Sequence, residues 1–167
     1  MDAMQRLWLT ALLPLFLAAT PADLKSGKFG TVLSVKAVVQ VSSTCSYDTP
    51  ETHLNLVRGE RVPCAFHTGK EQQPWVILKL ERPATIKAIE IINRQDGSGF
   101  RQASLAAFLS EDGKTWTEVW NAGGKAEDTW IFPVNGGSGQ KAAWVKLALT
   151  QEQPEFFHLS RVTVYGQ

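Results

Sequence analysis

Two polar stretches carry the residue types best suited to chemistry: "HTGKEQQPW", from His67 to Trp75, and "INRQDGSGFR", from Ile92 to Arg101. They hold three cationic or potentially cationic groups, His67, Arg94 and Arg101, with Asp96 between the arginines and Gly97, Ser98 and Gly99 beside it. Two guanidiniums supply planar, permanently charged forks of donors, and an imidazole both donates and accepts. Such a set suits a ligand rich in hydroxyls, as a sugar is. Asp96 is placed to hold Arg94 and to offset part of the like charge. Gly97 and Gly99 allow a tight turn and leave room for a ligand. The apolar side of a sugar ring needs an apolar wall, for which Phe100 and Phe66 are the candidates. A purely structural reading competes. In it Arg94–Asp96 is a loop salt bridge, worth little at a surface, Arg101 pairs with Glu71 or Glu90, and His67 sits at the core edge.

The elements that must position these groups read as strands. Short apolar runs rich in β-branched and aromatic residues recur over Thr31–Val41, Trp75–Leu80, Thr85–Asn93, Ala103–Leu109, Thr115–Trp120, Thr129–Val134, Ala143–Leu149 and Arg161–Tyr165. "EDGK" at Glu111–Lys114 is a hairpin turn by its Asp-Gly, and "NAGGK" and "NGGSG" are loops. Val145, Leu147 and Leu149 alternate with Trp144, Lys146 and Ala148. The run "ATIKAIEII" is less regular, as befits a central strand covered on both sides. No long segment has a 3.6-residue period. The pattern predicts an all-β, antiparallel β-sandwich of about eight strands with little helix, its binding loops gathered at one end.

The chain has 167 residues and a net charge of +1, with no block of Lys or Arg to attract nucleic acid. The N-terminal apolar run Leu7–Ala19 is shorter than a membrane span and is interrupted by Pro14, so residues 1–22 read as a secretory signal peptide cut after Ala19 or Ala22. Residues 23–33 follow as a short linker and 34–167 as the domain. The protein is then secreted, extracellular or periplasmic. In such a compartment Cys45 and Cys64 read as one disulfide; the alternative is two buried free thiols. No Cys/His cluster has zinc spacing, and no metal ligands or cofactor site are assigned.

Three stretches, "PWVILKLERPATIKAIEIINR", "SLAAFLSEDGKTWTEVW" and "AAWVKLALTQEQPEFFHLSRVTVYG", resemble the discoidin, or coagulation-factor C-type, domain, a galactose-binding-like jelly roll. Ser110, Asp112, Gly113 and Trp116 of S-x-D-G-x-x-W and the closing V-x-V-Y-G are its marks, and the likeness spans roughly residues 34–166. A narrower resemblance is to the fucose-binding F-type lectins on this fold, which carry His, twenty-six residues, then R-x-D-x4-R/K. His67, Arg94, Asp96 and Arg101 repeat that spacing. The resemblance implies glycan or glycoprotein partners. The chain departs from it in two places. Gly97 and Ser98 replace a cysteine pair that contacts the sugar. In addition, "NLVRGERVPC" and "LSRVTV" lack the acids of a calcium site, with Arg161 standing where a Glu would be. Calcium is therefore not expected to be needed, and Arg161 is expected to bond loop carbonyls in its place.

No catalytic residues are assigned. G-x-S-x-G, phosphate-loop and H-E-x-x-H motifs are absent from the sequence, and Ser160 beside His158 has no motif context. Membrane insertion is not expected, because the apolar tips "GGKAEDTWIF" and "QPEFFH" carry acids, and Trp130, Phe156 and Phe157 read as core. The alternative to a lectin-like module is a discoidin-type protein-interaction or adhesion module without a sugar site. Weak self-association would give a lectin its multivalency.

Overall fold

A computed structural model of the chain describes residues 19–58 and 62–167. The apolar leader lies outside the described residues apart from its last positions, as do residues 59–61 of the loop "NLVRGERVPC". Nine strands are found among the described residues: β1 Thr31–Val32, β2 Val38–Val41, β3 Phe66–His67, β4 Trp75–Asn93, β5 Leu105–Ser110, β6 Thr117–Asn121, β7 Thr129–Pro133, β8 Gln140–Leu149 and β9 His158–Gly166. Every pairing is antiparallel. Helix is confined to α1 Pro21–Lys25, α2 Pro50–His53, α3 Asn55–Arg58 and two short 3-10 turns. The expected all-β antiparallel class is the observed one.

Strand β4 organises the sandwich. The sequence pattern splits it at Pro83, yet the chain runs on as one 19-residue strand with a register irregularity between Lys79 and Ala84. Its first half pairs with β2 and β8, and its second half with β9 and β7. A strand that serves both halves folds the sheet over itself, as strands that change sheets at a bulge or bend do. In the first half Val76, Leu78 and Leu80 point into the core and Lys79 points out. In the second half outward-facing Ala88 is also fully buried. The stretch 23–33 explains this: it carries the end of α1 and all of β1, and Leu24 and Phe29 pack on Ala88. Helix α1 is closed by a capping box between Thr20 and Asp23, with Pro21 in its first turn.

The S-x-D-G-x-x-W stretch is turn chemistry. The Asp112 carboxylate accepts from the Lys114 and Thr115 N–H groups at 2.8 Å each, and the Ser110 hydroxyl accepts from the Gly113 N–H at 2.9 Å. Gly113 has φ +73°, and a Cβ there would stand 2.9 Å from the Trp144 indole, so the turn needs glycine twice over.

The expected Cys45–Cys64 disulfide is not formed; both are half-buried free thiols. Each is tied to β3 separately. The Cys64 thiol donates to the Phe66 carbonyl at 3.0 Å, and the Cys45 N–H donates to the His67 carbonyl at 2.9 Å. Burial pushes the Cys64 thiol up to about 11. At pH 8 only about one Cys64 in a thousand is then thiolate, against about a quarter for an unfolded cysteine. Native-state alkylation of Cys64 at pH 8 should therefore run at least ~100-fold slower than in denaturant, as peptide mapping would show.

Candidate functional site

Strand register gathers the polar stretches at one end of the sandwich. His67 of β3 sits opposite His158 of β9, and Asn93, the last residue of β4, sits opposite Leu159. The strands β3, β4 and β9 thus share an end, from which the chain leaves β4 directly into Arg94. Arg101 follows in the 3-10 turn Gly99–Ser104. His67, Arg94 and Arg101 are close enough that both guanidiniums act on the imidazole. Burial first, and then these two charges, hold His67 below the ordinary histidine range.

The hydrogen bonds of His67 settle its tautomer. Its Nδ1 lies 2.8 Å from the Thr68 carbonyl, which can only accept, so Nδ1 carries the proton. In the neutral ring Nε2 is then a lone-pair acceptor. Arg94 donates through Nε to Asp96, as expected, and this bond raises the guanidinium further above its ordinary value. Among the described residues Asp96 is the side-chain hydrogen-bond partner of Arg94, and the Arg94 Nη groups have none. Arg101 pairs with Glu155 at 3.7 Å, in place of the Glu71 or Glu90 of the structural reading. Glu71 instead accepts from the Ser42 and Ser43 hydroxyls at 2.6 Å each, and Glu90 accepts from Arg161.

The apolar wall differs from expectation. Phe66 is buried in the core, edge-on to Phe157. The aromatic ring beside both His67 and Arg101 is Phe156, read from the sequence as core but in fact half-buried, 5.3 Å from the His67 ring and 5.1 Å from the Arg101 guanidinium. Phe157 takes the core position, because adjacent residues on an extended chain face opposite ways. Tyr47, 71 % exposed, adds a rim edge-on to His67 at 5.7 Å. Phe100 is 68 % exposed, with its ring 5.7 Å from the Arg101 guanidinium. Arg161 also departs from expectation: it donates to Glu90 at 3.3 Å across the β9–β4 sheet face, and among the described residues no loop carbonyl is its partner.

Two groups that the sequence pattern does not single out hold the site together. Asp48, with its side chain 6 % exposed, accepts from the His67 backbone N–H at 2.7 Å, from His53 Nε2 at 2.8 Å, from the Thr49 N–H at 3.0 Å and from the Thr52 hydroxyl. This one carboxylate ties the loop bearing Cys45 and Tyr47, and helix α2, to strand β3. His158 is fully buried with its ring 5.1 Å from that of His67, and among the described residues neither of its nitrogens has a hydrogen-bond partner. Ser160 donates to the Pro63 carbonyl at 2.7 Å, so its proton is not directed at His158.

Burial, followed by the charges of Arg94, His67 and Arg101, depresses His158 to about 3. An unfolded histidine titrates near 6.5. Between these values the unfolded chain binds the extra proton and the folded one does not. The stability from a neutral His158 is thus fully present above pH 6.5 and is lost as pH falls toward 3, at ~1.4 kcal/mol per pH unit. Unfolding free energies measured from pH 6 to 4.5 should show this slope, and His158→Leu should reduce it by one proton's worth.

A family model for the F5/8 type C domain matches residues 38–162. No curated protein sequence matches the chain. Among solved structures, a Streptococcus pneumoniae fucose binding module superposes with a TM-score of 0.70 at 15% identity, covering 82% of this chain and 96% of that one. The lectin domain of lectinolysin complexed with Lewis B antigen gives 0.65 at 17% identity, covering 80% and 96%. A fucolectin from the serum of the striped bass, Morone saxatilis, gives 0.66 at 18% identity, covering 83% and 48%. At such identities these likenesses establish the fold. The family match takes in most of the chain, from β2 to the body of β9, and the chain belongs to the F5/8 type C, or discoidin, domain family.

Proposed function

We propose that the chain is a non-catalytic carbohydrate-binding module that reads a terminal sugar, fucose being the first candidate, through His67, Arg94 and Arg101. The observation that carries this reading is the tautomer of His67. Its Nδ1–H is engaged by Thr68, which leaves an acceptor at Nε2 beside two guanidiniums. A hydroxyl satisfies all three, since it donates its proton to Nε2 and accepts from the arginines. A carboxylate would suit the arginines but has no proton for the imidazole. Phe156 supplies the apolar wall, Asp96 orients Arg94 and Asp48 anchors His67. The structural neighbours described as fucose binding or as fucolectin lend support from outside the chain.

A shallow polar site exchanges water for sugar hydroxyls with little net gain, so affinity for one sugar is weak and useful strength comes from multivalent display or weak self-association. A glycan array on the purified protein tests the reading. Selective signal on fucosylated glycans is expected; a blank array at high display density contradicts it.

The module is exported and its leader removed. Of the two candidate cuts, cleavage after Ala22 would divide helix α1, whereas cleavage after Ala19 keeps the Thr20–Asp23 capping box. Mass spectrometry of secreted protein should give Thr20 as the first residue; Asp23 or an intact Met1 would contradict this.

A further inference from the structure

A cavity of about 370 Å³ opens beside Arg94, and His67 is not among the residues that line it. Its walls include Arg94, Gly97 and Phe100 on one loop and Glu127 and Asp128 on the loop before β7. One buried amide sets the gap between the two loops. Asn93, 2 % exposed, donates through Nδ2 to the Gly99 carbonyl at 3.0 Å and the Glu127 carbonyl at 2.9 Å. Its backbone N–H donates to the Asp128 carbonyl at 2.9 Å, and its Oδ1 accepts from the Arg94 N–H at 2.8 Å. A Cβ on Gly99 would stand 2.9 Å from that Nδ2, so glycine is what lets the loop close on the amide. The cavity is therefore built in advance by a fully bonded side chain.

Its lining is mixed in a way that fits a sugar ring. Glu127 and Asp128 are acceptors for hydroxyl protons, Arg94 is a donor to hydroxyl oxygens, and Phe100 is a flat apolar platform, 68 % exposed. The volume lies within the ~300–1,000 Å³ of small-ligand pockets. Two carboxylates on one wall disfavour an anionic residue by like-charge repulsion and desolvation. We infer that this cavity is a second subsite, holding the neutral sugar next to the terminal one, so that the protein reads a neutral oligosaccharide and Arg94 bonds both of its sugars. The inference rests on the sugar-binding reading above.

The experiment is calorimetric titration of the full chain with methyl α-L-fucoside, with a panel of neutral fucosylated tri- and tetrasaccharides covering the common linkages, and with sialylated or sulfated counterparts. At least one neutral oligosaccharide should bind ~10-fold or more tighter than the fucoside, a gain of ~1.4 kcal/mol. Its anionic counterpart should lose that gain. The double variant Glu127→Gln, Asp128→Asn should reduce the neutral oligosaccharide toward the fucoside's affinity and narrow the gap to the anionic one. Phe100→Ala should also weaken the oligosaccharide. If the fucoside binds but no oligosaccharide exceeds it, or if the double variant weakens fucoside and oligosaccharide equally, the subsite is overturned and the primary site stands. If neither fucoside nor any oligosaccharide binds, the primary reading fails and the subsite with it.

Discussion

Arg94→Ala should abolish binding of fucosyl glycans while leaving the fold intact. Hydrogen bonds from a charged donor contribute about 1.5–3 kcal/mol each, and the Nη edge of Arg94 offers two in a plane. Their loss amounts to ~3–6 kcal/mol, or a factor of about 10²–10⁴ in affinity, which takes an already weak site below detection. The folded state loses little. The side-chain partner of Arg94 is Asp96, which is 38 % exposed and can be rehydrated once the guanidinium is gone. Arg94→Lys should also lose most binding, because an ammonium keeps the charge but cannot form the fork. Asp96→Asn should cost less than either, since it loosens the orientation of Arg94 without removing a donor. Titration calorimetry paired with thermal unfolding separates these outcomes; wild-type affinity in Arg94→Ala would remove this residue from the site.

Asp48→Ala should have the largest effect on stability. The carboxylate is almost fully enclosed and accepts from two backbone N–H groups, His53 and Thr52. Truncating one partner of a buried pair typically costs 3–5 kcal/mol, because the remaining groups stay buried without partners. In a chain of this size each kcal/mol lowers Tm by roughly 2–4 °C, so a fall of about 10 °C is expected. Asp48→Asn should fall between the two, as its amide oxygen still accepts while its NH2 faces other donors. Binding measured well below the new Tm should also weaken, because His67 loses the contact that fixes its backbone. A melting temperature within about 2 °C of wild type in Asp48→Ala would show that the loop is held by other contacts.

The fold was legible because its signals are local. Short alternating runs, Asp-Gly turns and the S-x-D-G stretch report backbone geometry a few residues at a time. The continuity of β4 through Pro83 was not legible, because a proline tolerated at a register irregularity looks the same in sequence as a strand break. For the site, His67, Arg94, Asp96 and Arg101 stood out through their spacing, and the register of β3, β4 and β9 brings them to one end of the sandwich. Asp48 and Glu155 were missed, because their partners lie 19 and 54 residues away along the chain and depend on tertiary folding. The Phe156–Phe157 pair shows the limit in its smallest form: composition says that both are apolar, and only the folded backbone says which one faces Arg101. A usable signal for His158 did exist, since it opens the terminal strand beside alternating core residues, but its burial beneath His67 comes from the β3–β9 pairing.

Imidazole nitrogen spectra of the isotopically labelled chain, recorded during a titration with methyl α-L-fucoside at pH 7, test the sugar-binding mechanism most directly. The free protein should show His67 as the Nδ1–H tautomer. Added sugar should shift the Nε2 resonance as that nitrogen accepts a hydroxyl proton, with the same half-saturation that calorimetry gives, and Arg94→Ala should suppress the shift. An Nε2–H tautomer in the free protein, or an Nε2 resonance unmoved at saturating sugar, would contradict it.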